Sequence, residues 1–128
     1  MADTRRLTGA VLEFTQTIGR LVPAVEDPVD WSPLVEFVGV EEFERIGAFL
    51  EVQNWQQYID MLTQWALATD SFETTVRRVS EVDDLVYFEI EERHFRGGDV
   101  HTVNSMTVFG FNEAGKIRHL DVYLQRRR

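Results

Sequence analysis

Two adjacent glycines, Gly97 and Gly98, constrain this chain more than any other feature. They separate two β-rich runs, LVYFEIEERHFR (85–96) and DVHTVNSMTVFGF (99–111). A two-residue hairpin turn needs positive φ at its central residues, and glycine takes it without steric cost. A second turn, Asn112 to Gly115, leads into KIRHLDVYLQ (116–125), with its glycine at the closing position. Val, Ile, Phe, Tyr and Thr fill the runs between the turns, as a half-buried pleated surface favours. The stretch Leu85–Gln125 is therefore expected to be a curved antiparallel meander that needs a layer across one face.

The preceding residues supply that layer. Leu7, Val11, Phe14, Ile18 and Leu21 recur at helical spacing, so a first helix is expected from about Thr4 to Val22, ended by Pro23. Asp30 is expected to cap a short second helix with Trp31 and Pro33 in its first turn. Residues 40–52 fit either a strand, a turn and a second extended piece, or a helix. Asn54 and Gln57 form a capping box, and Trp55, Ile59, Leu62 and Ala66 make the stripe of a third helix to about Thr69. Residues 72–80 read as a strand, and Asp83-Asp84 as the turn into the meander. Helices followed by a bent antiparallel sheet define an α+β class: a cone-shaped, strongly curved sheet with about three N-terminal helices on its concave face.

Composition narrows the function. The 128 residues are 44% apolar, enough for one globular domain spanning 1–128 with a real core. A net charge of -9 argues against nucleic acid, which needs a basic face. The single basic run, Arg126 to Arg128, reads as a solvated end. With no cysteine there is no thiolate chemistry. No apolar run is long enough for a membrane span, and the first residues lack a signal-peptide core, so a cytoplasmic protein is expected.

Strand alternation then places side chains. Val86, Phe88 and Ile90 form the more apolar face, which should meet the helices, and Glu92 and His94 continue it. The two-residue turn sets the register: His94 opposite His101, Glu92 opposite Val103, Ile90 opposite Ser105, Phe88 opposite Thr107. Leu120 and Val122 complete the wall. Opposed residues have Cβ atoms about 5 Å apart, so Glu92, His94 and His101 form one polar cluster on an apolar wall. Read as a site, this is an acid–base group centred on His94. Read as structure, it is a wet polar rim near the hairpin. Two histidines and a carboxylate also make a metal-binding set, but two opposed histidines at a hairpin mouth signal it weakly, and no metal or cofactor is expected. Phe14, Trp55, Tyr58, Phe88, Ile90, Val103, Ser105, Thr107, Leu120 and Val122 are the expected walls of a small apolar ligand site. The outer face mixes Tyr87, Val100, Met106, Val108 and Tyr123 with charges, which suits a homodimer interface.

The phrase VFGFNEAGKIRHLDVYL resembles the final hairpin of ketosteroid isomerases and limonene epoxide hydrolases, members of the nuclear transport factor 2-like, or SnoaL-like, superfamily. The resemblance implies the cone fold described above. Residue by residue it transfers little. The oxyanion-binding acid of the isomerases is matched by Thr107, the first helix has no Tyr, and the general-base position falls near Glu44. The Arg, Asp and Asp of the hydrolases are matched by Glu92, His94 and Val122. The functions implied are a small-molecule isomerase, dehydratase, cyclase or hydrolase using a pocket Glu-His pair, or a non-catalytic ligand-binding or dimerisation module of the same fold. An aromatic plug of Trp55, Tyr58 and Trp65 would favour the second.

Overall fold

The computed structural model describes residues 6–22 and 29–127. Three helices, α1 (Arg6–Arg20), α2 (Ser32–Val35) and α3 (Trp55–Leu67), accompany six strands. The strands are β1 (Glu44–Ile46), β2 (Val52–Gln53), β3 (Ser71–Val82), β4 (Leu85–Arg96), β5 (Asp99–Phe111) and β6 (Ile117–Arg126). They form one open sheet in the order β2-β1-β6-β5-β4-β3. Every pairing is antiparallel except β1 on β6. The segment 40–52 is thus a strand, a turn and a second short strand. Register breaks fall at Val76/Arg78 between β3 and β4 and at Gly110/Phe111 between β5 and β6, where ladders bend as at bulges.

Gly97 and Gly98 have φ of 58° and 86°, and the register they impose runs unbroken from Arg96↔Asp99 through His94↔His101 to Leu85↔Gly110. Val86, Phe88, Ile90, Phe109 and Leu120 are buried on the concave face under α1 and α3. Phe14 of α1 is the centre of this packing. It is 1% exposed and meets Phe109 and Phe37 edge-on at 6.1 and 6.4 Å.

The helix ends follow local chemistry. The box at α3 is complete: Asn54 Oδ1 accepts the Gln57 N–H and Gln57 Oε1 accepts the Asn54 N–H, both at 2.9 Å. The second helix corrects the expectation for Asp30. Trp31 is its N-cap residue and makes no side-chain cap, while Asp30 accepts the Ser32 N–H at 3.0 Å from one residue further out. That bond holds the Asp30 carboxyl below its ordinary pKa. The Trp31 indole instead donates to Thr63 Oγ1 at 2.8 Å, tying α2 to α3. The expected start of α1 at Thr4 lies outside the described residues.

No acidic residue stands in the first turn of α1. Its N-terminal charge is met from β3, where Glu81 Oε1 accepts from the Thr8 N–H at 2.9 Å and the Thr8 hydroxyl at 3.0 Å. A carboxylate at a helix N-terminus is favoured by the helix dipole, and charge-assisted bonds exceed neutral ones. Glu81→Ala should therefore cost about 1–3 kcal/mol. Urea unfolding would show it as a lower midpoint at unchanged slope, and an unchanged midpoint would remove Glu81 from the account.

Candidate functional site

The concave face and the two long helices enclose a cavity of ≈ 1260 Å³. Its floor is apolar, with Phe14, Phe88, Phe109 and Leu120. Ile90, Val103, Ser105, Thr107 and Val122 continue along the inward strand positions. Tyr58 and Trp65 of α3 line the wall without filling the space. Strand parity thus brings most of the expected ligand-site residues to one surface.

Two do not arrive. Trp55 is turned away from the cavity onto Phe43, edge-on at 5.2 Å, and packs behind Tyr58 at 5.9 Å. The rotation of α3 directs Tyr58, Leu62 and Ala66 into the core, so the stripe lies one helical step from where Trp55 would head it. Glu44 also fails to line the cavity. It pairs with His119 across β1 and β6, and its carboxylate meets His119 Nδ1 at 3.3 Å on the outer face, where His119 Nε2 also meets Asp121 at 3.0 Å. The inward residue of β1 is its neighbour Arg45, which alternation between Glu44 and Ile46 would have shown had the parity of this short strand been fixed. Arg45 donates to Gln53 Oε1 at 2.9 Å and lies 5.8 Å from the centre of the Tyr58 ring.

Glu92, His94 and His101 all line the cavity, but they do not act as one cluster. His101 is exposed at the mouth. Glu92 and His94 are joined, and the partner that completes them is Trp65, which the sequence offered only as a core aromatic. The Trp65 indole N–H donates to His94 Nδ1 at 3.1 Å, and His94 Nε2 meets Glu92 Oε1 at 2.9 Å. Indole nitrogen is a donor only, so Nδ1 must carry the lone pair and Nε2 the hydrogen. The imidazole is then the neutral Nε2–H tautomer, donating to the Glu92 carboxylate. Phe72 clamps the ring from the side, 5.0 Å from His94 and 4.9 Å from Trp65 between centroids. Both nitrogens of His94 are thus occupied, whereas Glu92 Oε2 accepts no hydrogen bond among the described residues. The expected acid–base group His94 is thus placed in the cavity wall between Trp65 and Glu92.

Tyr58 supplies a proton donor. Burial pushes its phenol up to about 12, the Arg45 charge opposing and the Glu92 charge adding to the rise. Between pH 10 and 12 the folded chain holds a proton that the unfolded chain has released. Stability carried by Tyr58 is therefore full below pH 10 and lost as the pH rises to about 12, a loss of about 3 kcal/mol. The difference in unfolding midpoint between Tyr58→Phe and the parent should change across that window and be flat below it. A flat difference throughout would mean the phenol is not buried.

Among the described residues, no group of three His, Cys, Asp or Glu side chains is placed to hold a metal ion. No described helix is long and apolar enough to cross a membrane.

No protein-family model matches the chain, and no curated protein matches it. Solved structures do. A nuclear transport factor 2-like protein from Anabaena variabilis superposes with a TM-score of 0.77 at 12% identity, covering 99% of this chain and 95% of its own. AclR, a candidate hydroxylase from Streptomyces galilaeus, gives 0.79 at 11% identity over 98% of this chain and 82% of its own. A candidate SnoaL-like polyketide cyclase from Jannaschia gives 0.70 at 14% identity over 98% and 92%. Helices laid on an open, mostly antiparallel sheet around a cavity, with these superpositions, identify the nuclear transport factor 2-like, SnoaL-like fold in this chain.

Proposed function

We propose that the chain is a small-molecule enzyme that moves a proton on an apolar carbonyl substrate, in the manner of an isomerase, dehydratase or cyclase. The observation that carries this reading is the Trp65–His94–Glu92 chain of hydrogen bonds, set in an apolar cavity that the aromatics of α3 do not fill. Polar groups on an apolar wall persist when they satisfy one another, and this set leaves one oxygen of the cavity-lining Glu92 without a hydrogen bond among the described residues. Glu92 takes a proton from the carbon next to a substrate carbonyl. The electron pair moves onto the carbonyl oxygen, where the neutral Tyr58 hydroxyl and the Arg45 charge offset the developing anion. Where the substrate carries a carbon–carbon double bond next to the deprotonated carbon, return of the proton from Glu92 to the far end of the dienolate completes an isomerisation. Attack of the enolate carbon on a second carbonyl forms the ring bond, and the proton held by Glu92 passes to the new alkoxide to complete a cyclisation. Fold likeness to a candidate hydroxylase and a candidate polyketide cyclase is compatible with such substrates, though a fold alone does not set chemistry.

The test is deuterium incorporation at the α-carbon of polycyclic and aryl ketones in heavy water, followed by proton magnetic resonance. Catalysed exchange with at least one ketone is expected. Exchange at the buffer rate across the panel would favour the non-catalytic binding module.

The outer sheet face supports a homodimer. Its β3–β4 half is occupied by the ion pairs Arg78–Glu89, Arg77–Glu91 and Arg93–Glu91; these pairs hold Glu89 and Glu91 below their ordinary pKa. The β5–β6 half instead presents Tyr123, 61% exposed. Sedimentation at micromolar concentration should give a dimer that Tyr123→Glu dissociates, and a monomeric parent would contradict the assembly.

A further inference from the structure

The charges around the cavity run against those of the chain. The protein carries a net charge of -9, yet four arginines and a single carboxylate line the cavity. Arg45 lies inside, and Arg96, Arg126 and Arg127 stand at the mouth. Strand parity explains two of them. Arg96 occupies the next inward position of β4 after His94, and Arg126 follows Leu124 at the inward end of β6, opposite Val103. Arg126 is also held in place, its guanidinium stacked 5.2 Å from the centre of the Phe49 ring. None of the ion pairs among the described residues involves Arg45, Arg96, Arg126 or Arg127. The nearby carboxylates have other geometry. Asp99 faces Arg96 across the hairpin without an ion pair, and Asp70 accepts the Gly97 N–H at 2.7 Å.

We infer that the ligand is an amphipathic organic anion, its apolar body in the cone and its anionic group held at the mouth by Arg96 and Arg126. Guanidinium groups with no ion-pair partner among the described residues are suited to a carboxylate or similar oxyanion. The inference rests on the reading of the cavity as a substrate site and adds the class and orientation of the substrate. Glu92 and Arg96 are four residues apart on one strand, roughly 13 Å at the usual rise. Arg126 stands in the row of Glu92, two strands across through Val103, roughly 10 Å at the usual strand spacing, so an anion held between the two arginines lies about 10–13 Å from the reacting carbon. Repulsion between Glu92 and the anion disfavours the reversed orientation.

Two dyes with the same aromatic body separate the claims: anilinonaphthalene sulfonate, which is anionic, and phenylnaphthylamine, which is neutral. Fluorescence titration of the full chain should show the sulfonate bound at least about 10-fold more tightly, since charged hydrogen bonds are worth more than that factor. Its affinity should fall with added salt, while that of the neutral dye should not. The Arg96→Ala/Arg126→Ala double variant should remove the preference and leave the neutral dye unchanged. Arg96→Lys/Arg126→Lys should retain part of it, and Arg77→Ala, on the outer face, all of it. Equal binding of the two dyes by the parent would overturn the inference and leave the apolar site standing, as would equal weakening of both dyes in the double variant. A loss of preference in Arg77→Ala as large as at the mouth would also overturn it. If neither dye binds, the substrate-site reading fails and this inference with it.

Discussion

Glu92→Gln is expected to abolish most of the catalysed exchange, lowering the rate by roughly 10²–10⁴-fold, the range for losing a positioned base. The amide keeps the volume and can still accept from His94 through its oxygen, so the fold and ligand binding should persist. The substitutions around it separate a base from the groups that aim it. His94 touches Glu92 through Nε2 and Trp65 through Nδ1, so it acts as a positioning residue. His94→Leu should lower turnover by about 10–100-fold, as losses of orienting partners do at other sites. His94→Gln has one donor and one acceptor and should recover most of that loss. If His94 itself carried the proton, the glutamine variant would be as inactive as the leucine variant. Equal exchange by Glu92→Gln and the parent would end the proposal.

The largest effect on stability is expected at Phe14. Its ring is all but fully buried and meets Phe109 and Phe37 edge-on, so it joins α1 to the sheet and to the segment after α2. Phe14→Ala removes that packing and opens a void continuous with the cavity floor. A loss of about 3–5 kcal/mol follows from comparable truncations, a large share of the stability of a domain this size. Urea unfolding measures it. A loss below about 1 kcal/mol would mean that the helix is held to the sheet elsewhere, through Glu81 and Thr8.

What the sequence revealed follows the range of the interactions involved. A two-residue glycine turn determines register locally, and register determines parity for every residue of β4 and β5. For that reason the inward file from Val86 to His94 was readable from residues alone, as was the capping box at Asn54. The rotation of a helix against a sheet has no local determinant. Trp55 and Tyr58 sit three residues apart on the same side of α3 and both pack on Phe43, and only the docking of the helix decides which of them reaches the cavity. The same rotation places Trp65 over His94, so the bond from the indole to the imidazole was invisible to strand parity. β1 has only three residues and no tight turn joining it to β6. A shift of one residue exchanges Glu44 and Arg45, and tertiary pairing with His119 made that choice. Asp30 missed its capping position by one residue, an error of the kind that helix ends invite.

The central claim is that His94 is a neutral imidazole with both nitrogens engaged, leaving Glu92 as the base. Nitrogen magnetic resonance of the chain labelled at histidine, with His94 assigned by its loss in His94→Gln, reads this directly. The account predicts the hydrogen on Nε2 and a hydrogen-bonded lone pair on Nδ1 at neutral pH, with Trp65→Phe shifting the Nδ1 resonance and little else. A hydrogen on Nδ1, alone or together with Nε2, would contradict it.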